Sequence, residues 1–70
     1  MEALAGVLRV YREQSGMSMR ELARRIGCYA SSISRFESGE HLPDIRTLRV
    51  IVRELDIDED GRDAIRRAIL

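Results

Sequence analysis

The 70-residue chain has no lysine, no tryptophan, one cysteine, one proline and three aromatic side chains. A lone cysteine cannot form an internal disulfide, and no histidine pair supplies metal-ligand spacing, so we expect a reducing compartment and neither metal nor cofactor. So few aromatic residues argue against a stacking platform for single-stranded nucleic acid. The sequence also lacks a signal peptide and any apolar run long enough to span a bilayer, so we expect a soluble cytoplasmic protein with no membrane partner.

Catalytic motifs are missing as well. The sequence shows no carboxylate pair, no nucleophile beside a base and no phosphate-binding glycine loop, and its length leaves little room for a catalytic cleft. We therefore expect a single domain over residues 1–70 that is not an enzyme and has no evident small-molecule ligand. Its stability should be marginal or assisted by dimerisation.

Neither charge is in surplus, since the chain has 12 basic and 12 acidic residues. A DNA-binding domain usually carries a positive excess, so the net charge does not indicate DNA. The distribution is uneven, however: residues 18–35 hold four arginines and one acid, whereas residues 54–60 hold five acids and no base. Such an asymmetry can orient a protein on a polyanion. Every basic residue is arginine, which suits planar contacts to phosphate or guanine, although a codon bias explains the same composition.

Residues 18–39, SMRELARRIGCYASSISRFESG, have the apolar spacing of two short helices joined by a tight turn. Ser18 and Glu21 have the spacing of a capping box, in which the serine oxygen accepts from a backbone amide and the glutamate reaches back to the cap residue. Gly27 can adopt the left-handed conformation that ends a helix. The second helix must then leave at a steep angle, which is the geometry with which a helix-turn-helix enters DNA.

Three more amphipathic helices are predicted, at residues 2–14, 44–55 and 59–70. Asp44 is a good N-cap, and the acids through Asp60 suit the positive N-terminus of the last helix. The residues expected to face the core are Leu4, Val7, Leu8 and Tyr11, then Ile45, Leu48, Ile51, Val52 and Leu55, and finally Ala64, Ile65, Ala68 and Ile69. Five short helices give an all-α fold, which by itself does not give function.

Three segments carry a family resemblance: residues 8–27 (LRVYREQSGMSMRELARRIG), residues 31–39 (SSISRFESG) and the helix within residues 43–57. In this register the chain resembles the helix-turn-helix domain of phage repressor and Cro type, the Xre family of transcriptional regulators. The resemblance implies a five-helix lambda-repressor-like domain, with the helix-turn-helix at about residues 18–37 and a recognition helix at 29–36 in the major groove. It also implies a regulator, in particular a repressor, that binds a palindromic operator in double-stranded DNA as a homodimer.

The resemblance assigns roles to individual residues. A structural ion pair between the first helix and the end of the recognition helix falls on Arg12 and Glu37. The base-reading candidates are Tyr29, Ala30, Ser31, Ser34 and Arg35. The DNA-backbone candidates are Ser18, Met19, Arg20, Ser32, Ser38 and His41, of which Met19 and Arg20 are also within reach of a base edge. Arg35 either bonds O6 and N7 of guanine together or contacts phosphate, and the alternative for His41 is a solvated loop imidazole.

The chain departs from the family pattern at several positions. Tyr29 stands where Ser or Thr commonly caps the recognition helix, and its hydroxyl is too distant to do so. Ala30 offers only a methyl group where a long polar side chain often reads bases. Asp56 stands where glycine often ends the fourth helix, and Asp tolerates the left-handed conformation less readily. Cys28, by contrast, stands at the usual small apolar position of the turn, where it is expected to pack as a buried apolar residue instead of acting as a redox sensor.

The sequence leaves two alternatives open. The neutral charge, the acidic run and the short side chains of Ala30 and Ser31 also fit a protein interaction module on a helix-turn-helix scaffold with weak or no DNA binding. Apolar residues near the end form either a dimerisation patch or part of the core. These residues are Ile57, Ile65, Ile69 and Leu70.

Overall fold

A computed structural model of the chain describes residues 3–69, and every regular element in this range is an α-helix. Helix α1 spans Leu4–Gln14, α2 Met19–Ile26, α3 Ala30–Ser38, α4 Ile45–Glu54 and α5 Glu59–Ile69. The predicted all-α fold of five helices is confirmed. Helix α3 begins later and ends later than the predicted 29–36. The outer ends predicted for the first and last helices, at Glu2 and Leu70, lie outside the described residues.

One apolar core lies among the five helices. Helix α1 packs against α3 and α5, and α2 packs against α3 and α4. The buried apolar residues are Leu4, Val7, Leu8, Leu22, Ala23, Ile33, Leu48, Ile51, Leu55, Ile57 and Ile65. Each large side chain among them contributes about 1.5–3 kcal/mol by leaving water. Since α2 and α3 both supply buried residues, the helix-turn-helix is part of the core and is held rigidly by it.

Two of the predicted core positions are exposed, and Tyr11, Val52, Ala64 and Ala68 are half-buried against the core. Ile45 is 60% exposed and Ile69 is 46% exposed, because both line an open groove between α4 and α5 instead of the closed core. In contrast, Ile57 and Ile65 are buried. They complete the core and are therefore not free to form the dimerisation patch, while Leu70, the last member of that set, lies outside the described residues.

The helix ends follow the local signals of the sequence. The Ser18 hydroxyl accepts a hydrogen bond from the Glu21 amide at 3.0 Å, and the Asp44 carboxylate accepts one from the Thr47 amide at 2.7 Å. The other half of the predicted capping box is wrong, because the Glu21 carboxylate accepts from Arg24 and Arg25. Asp56, which follows α4, has a φ of +50°, so it adopts the left-handed conformation expected at this position.

A polar corner joins α1 to the start of α5. The Tyr11 hydroxyl donates to Asp58 Oδ1 at 2.7 Å, and the Gly61 amide donates to the same oxygen at 2.9 Å, so Asp58 caps α5. The hydrogen bonds from Tyr11 and Gly61 hold the pKa of the Asp58 carboxyl below its ordinary value. Gly61 is buried, and a Cβ atom there would lie 2.5 Å from the tyrosine ring and hydroxyl. Glycine therefore permits the close approach of the two helices.

Candidate nucleic-acid interface

A buried ion pair fixes the position of α3 relative to α1. Arg12 donates from Nε to Glu37 Oε2 at 2.6 Å and from Nη2 to Oε1 at 3.0 Å. Its third nitrogen, Nη1, donates to the Met17 carbonyl at 2.8 Å. The two side chains are 10% and 4% exposed, and the hydrogen bond to Glu37 raises the pKa of Arg12. One guanidinium thus connects the first helix, the loop before α2 and the C-terminal part of α3.

The turn between α2 and α3 is closed by the backbone. Gly27 has a φ of +81°, and the amides of Gly27 and Cys28 both donate to the Ala23 carbonyl at 2.9 Å. Partial burial raises the pKa of the Cys28 thiol, which packs against the core. Tyr29 occupies the N-cap position of α3 and makes no side-chain capping bond. The first amides of α3 are therefore left without a side-chain acceptor from the cap residue.

The base-reading candidates lie on the solvent side of α3. Tyr29 is 80% exposed, and the exposed residues that follow it are Ser31, Ser34 and Arg35, whereas Ala30 is half-buried. On the opposite side of the helix Ile33 is 1% exposed. Since Ile33 lies between the exposed positions in sequence, its burial orients the whole row outward.

The backbone candidates are distributed around both ends of this row. Ser18 and Arg20 are exposed at the start of α2, and Met19 is half-buried against the core. Ser32 is half-buried on α3. Ser38 is exposed, but its hydroxyl is already engaged, since it donates to the Arg35 carbonyl at 3.1 Å and accepts from the Glu40 amide at 3.3 Å.

An acidic residue that the sequence reasoning missed lies beside the main base-reading candidate. Glu40 Oε2 is 3.2 Å from Arg35 Nε and 3.6 Å from His41 Nε2. All three side chains are exposed. The separation of five residues between Arg35 and Glu40 does not signal a helical pair, because the chain leaves α3 at Gly39, which has a φ of +83°. The left-handed glycine is what brings the carboxylate back towards the arginine.

Internal ion pairs engage three of the four arginines in residues 18–35. Arg24 and Arg25 share the carboxylate of Glu21 at 2.6 and 2.8 Å, and Arg35 is paired as described above. Within residues 3–69, Arg20 is the one arginine of the four with no carboxylate oxygen inside 4.0 Å. Three of these four arginines therefore have an internal carboxylate partner, while the segment keeps its excess of four arginines over one acid.

Comparison with known proteins identifies the family. A family model described as a helix-turn-helix domain matches residues 3–65. The chain belongs to the helix-turn-helix domain family. This membership agrees with the resemblance to regulators of the repressor and Cro type. No curated protein and no solved structure matches the chain.

The helix-turn-helix domain indicates DNA as the partner of this protein, because the second helix of the motif is the element that enters the major groove. Here that helix is α3, whose outer row is formed mainly by exposed residues. Within the described part of the chain, no three His, Cys, Asp or Glu side chains are placed to hold a metal ion. No helix between residues 3 and 69 has the length and apolar character needed to cross a membrane.

Proposed function

We propose that the protein is a sequence-specific regulator of transcription that binds double-stranded DNA through α3. The observation that carries this proposal is the outward row on α3, which is oriented by the buried Ile33 and braced by the Arg12–Glu37 ion pair. A rigid, exposed helix of this kind suits the major groove, where each base pair presents a distinct pattern of donors, acceptors and methyl groups.

Arg35 is proposed to make the principal base contact. Its Nε faces Glu40, and within the described residues no hydrogen bond engages its two Nη groups. Those groups are free to donate to O6 and N7 of one guanine, a contact worth about 1–3 kcal/mol of discrimination. Ser31 and Ser34 would add hydroxyl contacts to bases or phosphates, and Ala30 would offer its methyl group to a thymine. A reading face with so few long side chains would leave part of the specificity to DNA shape.

The remaining candidates are proposed to hold the duplex in register. Arg20, at the start of α2, is exposed and has no internal carboxylate partner among residues 3–69, so it suits a phosphate contact. Ser18, Ser32, Ser38 and His41 would add contacts around the same edge, and Met19 would pack beside them. Such contacts fix orientation and contribute salt-dependent affinity without reading sequence.

We further propose that two copies bind a palindromic operator and repress transcription by occupying it. Two-fold symmetry in the DNA site would then match two-fold symmetry in the protein, with each α3 reading one half-site. The small size of the domain supports the use of two copies, because one recognition helix contacts only a few base pairs.

Binding-site selection from random duplexes, followed by titration at several salt concentrations, tests this function. Arg35→Ala should weaken the selected duplex by about 5- to 150-fold, which corresponds to 1–3 kcal/mol, and change random DNA much less. Arg20→Ala should weaken both duplexes alike and lower the salt slope by about 1. The matched control is Arg67→Ala, because Arg67 is an exposed arginine on α5, away from α2 and α3.

Two outcomes would count against the proposal. Equal losses on selected and random DNA would remove Arg35 from base reading while leaving DNA binding intact. A folded protein that prefers no duplex over random sequence would instead favour the protein interaction module, which the internal pairing of Arg24, Arg25 and Arg35 with carboxylates also fits.

A further inference from the structure

An open apolar groove with a volume of about 430 Å³ runs between α4 and α5. Leu48 and Ile65 form its buried floor. Ile45 and Ile69 line it as well, although they are 60% and 46% exposed. Two exposed isoleucines above an apolar floor are costly to leave in water, at about 25 cal/mol for each Å². The groove therefore offers favourable burial to an apolar partner surface.

Arginines surround this groove. Arg49, Arg62 and Arg66 all line it. Arg66 pairs with Asp63, whereas Arg62, within residues 3–69, donates only to the Ile57 carbonyl, at 3.4 Å. Arg49 and Arg62 have no carboxylate oxygen within 4.0 Å among residues 3–69.

The lining of the groove has an excess of positive charge. It includes three arginines and no acidic side chain. The whole chain has no net charge. A groove with an apolar floor and two unpaired arginines at its rim is complementary to a surface that is apolar in its centre and acidic at its edges.

We propose that the α4–α5 groove binds an amphipathic acidic helix of another protein. The apolar side of that helix would pack on Leu48 and Ile65 between the two exposed isoleucines, and its flanking carboxylates would pair with Arg49 and Arg62. Helix-in-groove recognition of this kind uses apolar anchors at i, i+3 or i+4 and i+7. The groove lies on α4 and α5, and neither helix belongs to the helix-turn-helix, so the inference does not depend on the DNA-binding proposal.

The charge at the rim favours this occupant over two others. A second copy docked by the same face would bring arginine rims together across a two-fold axis, and like charges in an interface are unfavourable. Duplex DNA would satisfy the arginines but would leave Ile45 and Ile69 against phosphates, which offer no apolar contact. An acidic amphipathic helix offers apolar contacts to the floor of the groove and carboxylates to the arginines at its rim.

The test uses a fluorescein-labelled synthetic peptide of about 18 residues, long enough to form a helix, with leucine at the anchor positions and glutamate elsewhere. A matched peptide carries lysine in place of every glutamate. Fluorescence anisotropy should show binding of the acidic peptide at micromolar concentrations, weakening with salt, and little binding of the basic one. Arg49→Glu and Arg62→Glu should each weaken binding tenfold or more, whereas Arg67→Glu, which lies on α5 outside this groove, should not.

Ile45→Ser and Ile69→Ser give a second test, since both side chains are exposed and their loss leaves the buried core intact. Each should weaken peptide binding with an unchanged circular dichroism spectrum, and amide shifts in NMR should map to α4 and α5. Equal binding of both peptides, no binding at millimolar concentration, or shifts confined to other helices would overturn the proposal. A dimer in sedimentation that Ile45→Ser dissociates would also overturn the proposal, because the occupant would then be a second copy. The same holds if duplex DNA, added in place of the peptide, shifts the NMR signals of the groove residues.

Discussion

Removing one partner of the Arg12–Glu37 ion pair should be among the most destabilising single changes outside the apolar core. The carboxylate of Glu37 is 4% exposed and accepts two hydrogen bonds from Arg12. Glu37→Gln keeps the shape of the side chain and removes its charge, so the guanidinium stays in place, charged and largely dehydrated. Breaking a buried pair in this way costs about 3–5 kcal/mol.

That cost is large compared with the stability of a domain of this size. At about 0.05–0.15 kcal/mol per residue, a chain of 70 residues has a free energy of unfolding of about 3.5–10 kcal/mol. Since about 1 kcal/mol shifts the melting temperature of a small domain by about 4–8 °C, Glu37→Gln should lower it by at least about 12 °C. If the wild-type stability lies at the lower end of that range, part of the Glu37→Gln population should be unfolded at 37 °C.

Urea unfolding of the single and double variants measures the pair directly. The single variants of this cycle are Arg12→Met and Glu37→Leu. The double variant Arg12→Met/Glu37→Leu should lose less free energy of unfolding than the two single variants lose together, because no unpaired charge remains. It should still fall below the wild type by about 1–3 kcal/mol, since the Met17 carbonyl loses its donor from Arg12.

The exposed pair Arg9–Glu13 on α1, whose atoms are 3.5 Å apart, is the matched control. Glu13→Gln should change the free energy of unfolding by no more than about 0.5 kcal/mol, as for other helical pairs at this spacing. A cost of less than about 1 kcal/mol for Glu37→Gln, or single-variant costs that simply add, would refute the reasoning. The pair would then behave as an exposed one.

Three further predictions concern packing, pH and the reading face. Gly61→Ala should lower the free energy of unfolding by about 1–3 kcal/mol, since the added Cβ would lie 2.5 Å from neighbouring side-chain atoms. Gly6 lies on α1 with open space around it, so the control Gly6→Ala should raise the free energy of unfolding by about 0.5–1 kcal/mol. Because the pKa of Asp58 is lowered in the fold, its contribution to stability is present above about pH 4 and is lost as pH falls through the folded value; acid unfolding of Asp58→Asn should depend less steeply on pH. Glu40→Gln should release Arg35 and raise affinity for random DNA several-fold with a steeper salt dependence, and equal affinities and slopes would contradict this.

The helix ends at Ser18, Gly27 and Asp44 could be predicted from the sequence because their causes are local, whereas the bounds of α3, where Tyr29 makes no capping bond, differ from the predicted ones by one or two residues. The side chains of Ser18 and Asp44 each accept a hydrogen bond from an amide three residues away. Gly27 adopts the left-handed conformation because glycine has no Cβ atom, which is a property of the residue itself. The burial of Ile33 then determines which side of α3 faces outward. These short-range signals account for the scaffold and for the exposure of the reading row.

Contacts between distant segments could not be predicted in this way. Tyr11 and Asp58 are 47 residues apart, and no periodicity links a tyrosine on α1 to the cap of α5. Ile45 continues the apolar spacing of α4, and only the position of α5 makes it a groove residue instead of a core residue. Glu40 depends on the path of the chain after Gly39, which determines whether its carboxylate faces Arg35 or solvent.

The buried and the exposed ion pairs would respond differently to DNA, which bears on how a chain with no net charge could bind a polyanion. The Arg12–Glu37 pair is buried between α1 and α3, so it would stay in place when DNA binds. The pairs of Arg24, Arg25 and Arg35 are exposed, and such pairs are worth about 0–1 kcal/mol, so phosphates can replace their carboxylates at little cost. Carboxylates released in this way are not counterions that leave the complex, so the salt slope should be smaller than the number of arginines at the interface implies. The cost of displacing the internal partners would be common to cognate and random DNA, so it would lower both affinities and leave their ratio, which the base contacts determine, unchanged.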